Sequence, residues 1–157
     1  MKKLLIATTN KGKLKEISSF LSELPLEIVS LSDIGIKDDV EETGKNYKEN
    51  SQMKAIFYAK KSNLLAISDD GGLEIVAYGG APGLKSKRWL GKDSTEEDII
   101  NHMIKVAKEL PQDNRKAFFK TVISFALPNG KVWSVTGEIE GIIAKKPYLK
   151  LLKGYPY

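Results

Sequence analysis

The stretch whose reading decides the fold is LLAISDDGGLEIVAYGGAPG, Leu64 to Gly83. A strongly apolar run, Leu64 to Ile67, delivers two adjacent carboxylates, Asp69 and Asp70, and breaks at Gly71-Gly72. A second apolar run, Leu73 to Ala77, leads into the glycine-rich Gly79-Gly80-Ala81-Pro82-Gly83. The pattern predicts two strands around a DDGG turn, with the acids at a sheet edge open to solvent and ligands. Two chemistries fit. Paired carboxylates suit a hard cation with oxygen ligands such as Mg²⁺, and Asp and Gly equally make a plain polar turn.

Upstream, Lys2 to Ala7 (KKLLIA) reads as a buried strand, followed by Thr8-Thr9-Asn10-Lys11-Gly12-Lys13. Leu14, Ile17, Leu21 and Leu24 then recur at helical spacing until Pro25 stops the helix. A polar loop between strand and helix gathers backbone N–H groups, hydroxyls and the positive end of the helix dipole, which makes an anion site. Thr and Asn acting only as helix caps explain it equally well. The GxxxxGK[ST] spacing of a phosphate-binding P-loop is absent.

Leu26 to Leu31 predicts a second strand, and Ser32 to Thr43 an acidic, solvated loop carrying Asp33, Asp38, Asp39, Glu41 and Glu42. A helix from about Asn46 to Lys61 turns Tyr47, Met53, Ile56, Phe57 and the stem of Lys60 inward. Glu49, Asn50 and Lys54 fall on neighbouring turns of it and can face one ligand or simply solvent. Arg88, in SKRW, is a candidate phosphate fork, or a surface cation with its stem on Trp89.

Downstream, Ser94 or Thr95 caps a helix whose stripe is Ile99, Met103, Val106 and Leu110, and His102 beside it reads as a surface residue. Ala117 to Leu127 and Lys131 to Glu138 flank Pro128-Asn129-Gly130 as a hairpin, with Phe119, Thr121, Ile123, Phe125 and Leu127 on one face. Gly137 and Gly141 suggest a bend or bulge where the second strand turns away.

Composition narrows the chemistry. The 157 residues fit one domain, residues 1–157. With no cysteine and one histidine, thiolate sites, cysteine nucleophiles and multi-histidine metal sites are excluded. No apolar run reaches the length of a membrane span, so no membrane partner and a cytoplasmic location are expected. A net charge of +5 favours an anionic partner. The scattered basic residues, without interleaved aromatics, argue against nucleic acid.

Five motifs in order, ATTNKGKLKEI, EETGKNYKENSQMKA, SDDGGLEIVAYGGAPGLKSKRWLG, AFFKTV and GEIEG, resemble those of the inosine/xanthosine triphosphate pyrophosphatases. The resemblance covers about residues 3 to 147. It implies an α/β fold, a long twisted mixed β-sheet flanked by helices with a nucleotide cleft in the centre. It also implies Mg²⁺-dependent cleavage of purine nucleoside triphosphates (ITP, dITP, XTP) between the α and β phosphates, by a homodimer. Carried over residue by residue, Thr8, Thr9, Asn10, Lys11, Gly12 and Lys13 would wrap the triphosphate, with Lys54 and Arg88 reaching the phosphates. Asp70 would be the catalytic carboxylate and a metal ligand, Glu41 the other metal-associated acid, and Asp69 structural support.

Three departures from the family pattern stand out. Gly71 replaces a serine, leaving its backbone N–H to meet the substrate. Phe118 stands where a basic residue is common. Lys153-Gly154-Tyr155-Pro156-Tyr157 keeps only Gly-Tyr of a GFGYDP-like loop, and the chain ends before the Ser-His-Arg motif that reads the purine. The expectation is a domain lacking that base-recognition segment. Its alternatives are a nucleotide-binding relative with weak or no turnover, or a pyrophosphatase with another base preference.

Overall fold

The apolar run after Lys3 forms β1 (Lys2–Ile6), and the computed structural model describes residues 2–91 and 93–146, without the side chains of Lys87 and Glu96. The KGYPY ending, with its altered loop, lies outside the described residues. In order follow α1 (Lys11–Phe20), β2 (Leu26–Ser30), α2 (Tyr47–Ser62), β3 (Leu65–Ile75), α3 (Glu96–Glu109), β4 (Lys116–Ala126) and β5 (Val132–Ile142). Strands and helices form an α/β fold on a mixed sheet of order β2-β1-β3-β4-β5. β1 runs parallel to β2 and to β3, in register Leu4↔Ile28 and Leu5↔Ala66. Among the described residues no helix is long and apolar enough to cross a membrane.

The chain divides into two compact units, residues 1–70 with 122–136, and residues 71–121 with 137–157. In the first, Leu5, Ala7, Val29, Ala55, Tyr58, Ala59, Ala66 and Ala126 form the core. In the second, Val106 of α3 and Leu110 at its C-terminal cap pack on Leu73, Ile75 and Ala117.

The decisive stretch is not a hairpin. β3 runs unbroken from Leu65 through both acids and both glycines to Ile75. A Cβ on Gly71 would collide with the Lys120 carbonyl oxygen and stand 2.9 Å from Thr121 Cα. Glycine is there because the neighbouring backbone passes so close, not because the chain turns. The reversal comes later, where Gly80 N–H donates to Ile75 O and Ile75 N–H to Ala81 O.

Other expectations shift as well. α1 starts at Lys11 and stops at Phe20, so Lys11 to Lys13 form its first turn, and Leu24, beyond its end, is exposed. On α2 the buried side is Asn50, Ser51, Ala55, Tyr58 and Ala59, while Phe57 and Lys60 face solvent. Small residues four apart let the helix lie close to the sheet, which outweighs the size of Phe57. Thr95 caps α3, completing a capping box with Asp98. His102 is half-buried, its ring edge-on to Trp89 at 4.6 Å between centroids, rather than at the surface. The hairpin of β4 and β5 forms as expected, but β5 continues through Gly137 and Gly141 instead of turning away.

Candidate active site

Successive residues of an extended strand point to opposite faces, so a continuous β3 separates the two acids that a turn would have kept together. Their partners show it. Asp69, 7% exposed, accepts a bond from Lys13 Nζ of α1. Asp70 turns to α2, where Asn50 Nδ2 donates to its Oδ2 at 3.0 Å and Lys54 Nζ lies 3.9 Å from Oδ1.

Two devices hold α2 in place over Asp70. Ser68 Oγ donates to Ser51 O at 2.6 Å and Ser51 Oγ returns a bond to Ser68 O at 3.3 Å. These buried hydroxyls tie the helix to β3 next to Asn50 and two residues before Asp70. At the helix start Asn46 Oδ1 accepts from Glu49 N–H at 2.9 Å, and Glu49 Oε2 accepts from Lys45 N–H at 2.7 Å. Glu49 is thereby used in the cap, whereas Asn50 and Lys54 face Asp70.

The strand-to-helix turn after β1 sits beside β3 because Ala7 N–H donates to Ile67 O at 2.8 Å. Within it Thr8 Oγ1 accepts from Asn10 N–H at 3.2 Å, and Asn10 Oδ1 from Gly12 and Lys13 N–H at 2.8 and 3.2 Å. Asn10 is therefore the cap of α1, using amides that an incoming phosphate would otherwise meet. Thr9 and Lys11 are exposed.

In the acidic loop, Asp33 accepts from Ser30 N–H at 2.8 Å, Asp38 pairs with Lys61 at 2.6 Å, and Tyr58 donates to Asp38 O at 2.9 Å. The bond from Lys61 holds the Asp38 carboxyl below its ordinary range. Glu41 is exposed, and it is Glu42 that reaches Lys54 Nζ, at 2.8 Å. Lys54 thus bridges Glu42 and Asp70. The two remaining candidates lie in the second unit: Gly71 in β3, and Arg88, exposed, at the end of a 3₁₀ segment, Gly83–Arg88. That segment is anchored by Ser86, whose Oγ donates to Gly83 O at 2.6 Å and accepts from Leu73 N–H at 2.9 Å.

Sequence reasoning singled out Asn50 without a partner and chose between Glu41 and Glu42 by motif alone. Only the fold shows which carboxylate meets Lys54. Among the described residues no three Asp, Glu or His side chains cluster as a metal cage. The donor set instead offers Asp70 and Glu42, joined through Lys54. That suits Mg²⁺, which takes one or two protein carboxylates and completes its shell with water and phosphate oxygens.

A family model, described as the Ham1 family, matches residues 4–156. The dITP/XTP pyrophosphatase of Thermoanaerobacter pseudethanolicus is 40% identical over 153 residues, covering 98% of this chain and 77% of that protein. The Bacillus subtilis protein of the same name is 36% identical over 147 residues, covering 94% and 74%. Among solved structures, a HAM1 protein from Coxiella burnetii superimposes with a TM-score of 0.84 at 32% identity, covering 99% of this chain and 79% of its own. The Staphylococcus aureus Ham1 protein gives 0.80 at 31%, covering 98% and 78%.

Proposed function

The chain belongs to the Ham1 family, and from that premise and the site around Asp70 we propose that it hydrolyses non-standard purine nucleoside triphosphates. The substrates are dITP, XTP and ITP, and the products the nucleoside monophosphate and pyrophosphate. One observation carries the reading: Lys54 Nζ stands between Glu42 and Asp70, 2.8 and 3.9 Å away, so cation and carboxylate meet where phosphate hydrolysis needs both.

In the reaction, a water oxygen attacks the α-phosphorus while the bond from that phosphorus to the bridging oxygen of the β-phosphate breaks. Asp70 orients the water and takes its proton. Lys54 and Lys13 exchange their resting carboxylates, Glu42 and Asp69, for phosphate oxygens, where charge builds up in the transition state. Lys11, at the first turn of α1, adds a further cationic contact to the phosphates, and Thr8 and Thr9 supply hydroxyl donors, while the Gly12 amide could serve only by leaving Asn10 Oδ1. Gly71 has only its backbone N–H to offer. Asp70 with Glu41 or Glu42 would hold a Mg²⁺, which would supply positive charge to offset that of the phosphates. The enzyme is assigned to the cytoplasm as a homodimer; the exposed apolar residues Trp133, Val135, Ile139 and Ile142 of β5 favour a partner surface.

A second reading, nucleotide binding with little turnover, draws support from Gly71. The family's serine cannot be restored without moving the Lys120 backbone. Pyrophosphate release from ITP, XTP, dITP, GTP and ATP, with and without Mg²⁺, decides between them. The enzyme gives Mg²⁺-dependent release from the first three, and Asp70→Asn lowers it by about a hundredfold or more. Tight triphosphate binding without release establishes the second reading instead.

A further inference from the structure

Asn50 is the feature of the first unit that the proposed reaction leaves unused. It is 4% exposed, on the inner side of α2, and an amide there must have its donors and acceptor satisfied. Gly44 N–H donates to its Oδ1 at 2.7 Å. A backbone N–H can only donate, so the oxygen must face Gly44 and the Nδ2 donors must face Asp70, 3.0 Å from Oδ2. The amide cannot flip without losing both bonds.

Gly44 makes this fit possible. A Cβ there would stand 2.5 Å from Asn50 Oδ1, 2.7 Å from Glu49 Cβ and 2.9 Å from Asn50 N. No other residue lets the backbone come close enough to clamp the amide. The clamp is also distinct from the cap of α2, which Asn46 and Glu49 supply.

Resting on the pyrophosphatase reading, we propose that Asn50, locked by Gly44, is the positioning residue that fixes the Asp70 carboxylate for the reaction. With Oδ2 tied to Asn50 at 3.0 Å and Lys54 Nζ 3.9 Å from Oδ1, the carboxylate is held in one orientation toward water and cation. A carboxylate free to rotate would present either oxygen at varying angles, and small misplacements of a reacting group cost large factors in rate.

The test compares Asn50→Asp, Asn50→Ala and Gly44→Ala with the wild type, using ITP and Mg²⁺. Asn50→Asp keeps the acceptor for Gly44 N–H and the shape, but sets a carboxylate oxygen against Asp70 in place of a donor. It lowers kcat about a hundredfold, while KM and calorimetric affinity for ITP in EDTA stay within about threefold of wild type. Gly44→Ala leaves Asn50 in the chain but displaces it, and kcat falls about tenfold or more with the same split. Because Gly44→Ala and Asn50→Ala each read the clamp independently, a failure of Asn50→Asp to fold leaves the test standing. Folded variants with wild-type kcat, or with losses confined to KM and EDTA affinity, overturn the positioning role. A wild type without turnover on any triphosphate overturns the pyrophosphatase reading itself.

Discussion

The lysine–carboxylate pairs around Asp70 in the first unit are built differently from those of the second, and from the exposed Lys3–Glu27 and Lys61–Asp38 pairs of the first unit itself. In the first, Lys13 meets Asp69 and Lys54 meets Glu42 and Asp70, with side chains between 8% and 30% exposed. In the second, Lys120 bridges Glu74 and Glu138, and Lys116 pairs with Glu140 across β4 and β5, with side chains from a quarter to more than half exposed. Withdrawing an ion pair costs desolvation that its mutual attraction roughly offsets, so stability does not account for the first arrangement. Exposed pairs cost little and contribute little. On the proposed function the first set meets charge that arrives with a ligand, whereas the second lies along the more exposed strands β4 and β5. What holds the second unit is α3 on Leu73 and Ile75, together with Arg115, which is buried. Its guanidinium donates to Leu110 O at 2.9 Å, Ala107 O at 2.7 Å, Ile143 O at 2.7 Å and Ala144 O at 3.0 Å.

Breaking each set should move a different observable. Lys54→Met removes the bridge of the first unit, and kcat/KM for ITP is expected to fall about a hundredfold, with a thermal midpoint shift of a few degrees at most. A large midpoint loss with activity per folded molecule intact would make the buried pairs structural and erase the contrast. Arg115→Met is the opposite case. It orphans the last carbonyls of α3, so unfolding free energy should drop by about 3 kcal/mol in urea titrations. Turnover per folded molecule should hold near wild type, and loss of turnover without loss of stability would contradict it.

The same contrast explains what the sequence made legible. Among the described residues, apolar runs and spacing located the helices and strands, with β3 split in two, because apolar spacing reports burial directly, as in the Ile99, Val106 and Leu110 stripe. It misread Gly71-Gly72, since glycine placed for a close backbone neighbour looks in sequence like glycine placed for a turn. Composition also hid the buried side of α2. Ser51, Ala55 and Ala59 carry weak hydrophobic signals, yet pack closest because they are small. At the site, charge type and motif pointed to Lys13, Lys54, Asp69 and Asp70. The resemblance gave Asp69 and Asp70 different roles, but that their side chains meet different helices followed only from the strand being continuous. The choice of Glu42 as the partner of Lys54 depends on how a loop without periodicity folds back, which no local rule encodes.

The smallest expected effect tests the surface ladder. Bonds from Glu74, then Glu138, raise the Lys120 pKa above its ordinary value of 10.5. A group whose folded pKa exceeds its unfolded one stabilises fully below the unfolded value, and that contribution is lost as pH rises through the folded value. Lys120→Met should therefore lower the urea midpoint slightly near pH 8, and the gap to wild type should close as pH rises beyond the ordinary lysine value. Added salt should narrow the gap at neutral pH too, because exposed pairs are screened. A gap that stays constant with pH and salt would mean that Lys120 acts through the packing of its stem on Phe118, where its ammonium stands 5.4 Å from the ring centroid, and not through its charge. The second unit's lysines would then be packing elements, and the distinction from the first unit would rest on what the side chains bury rather than on where their charges point.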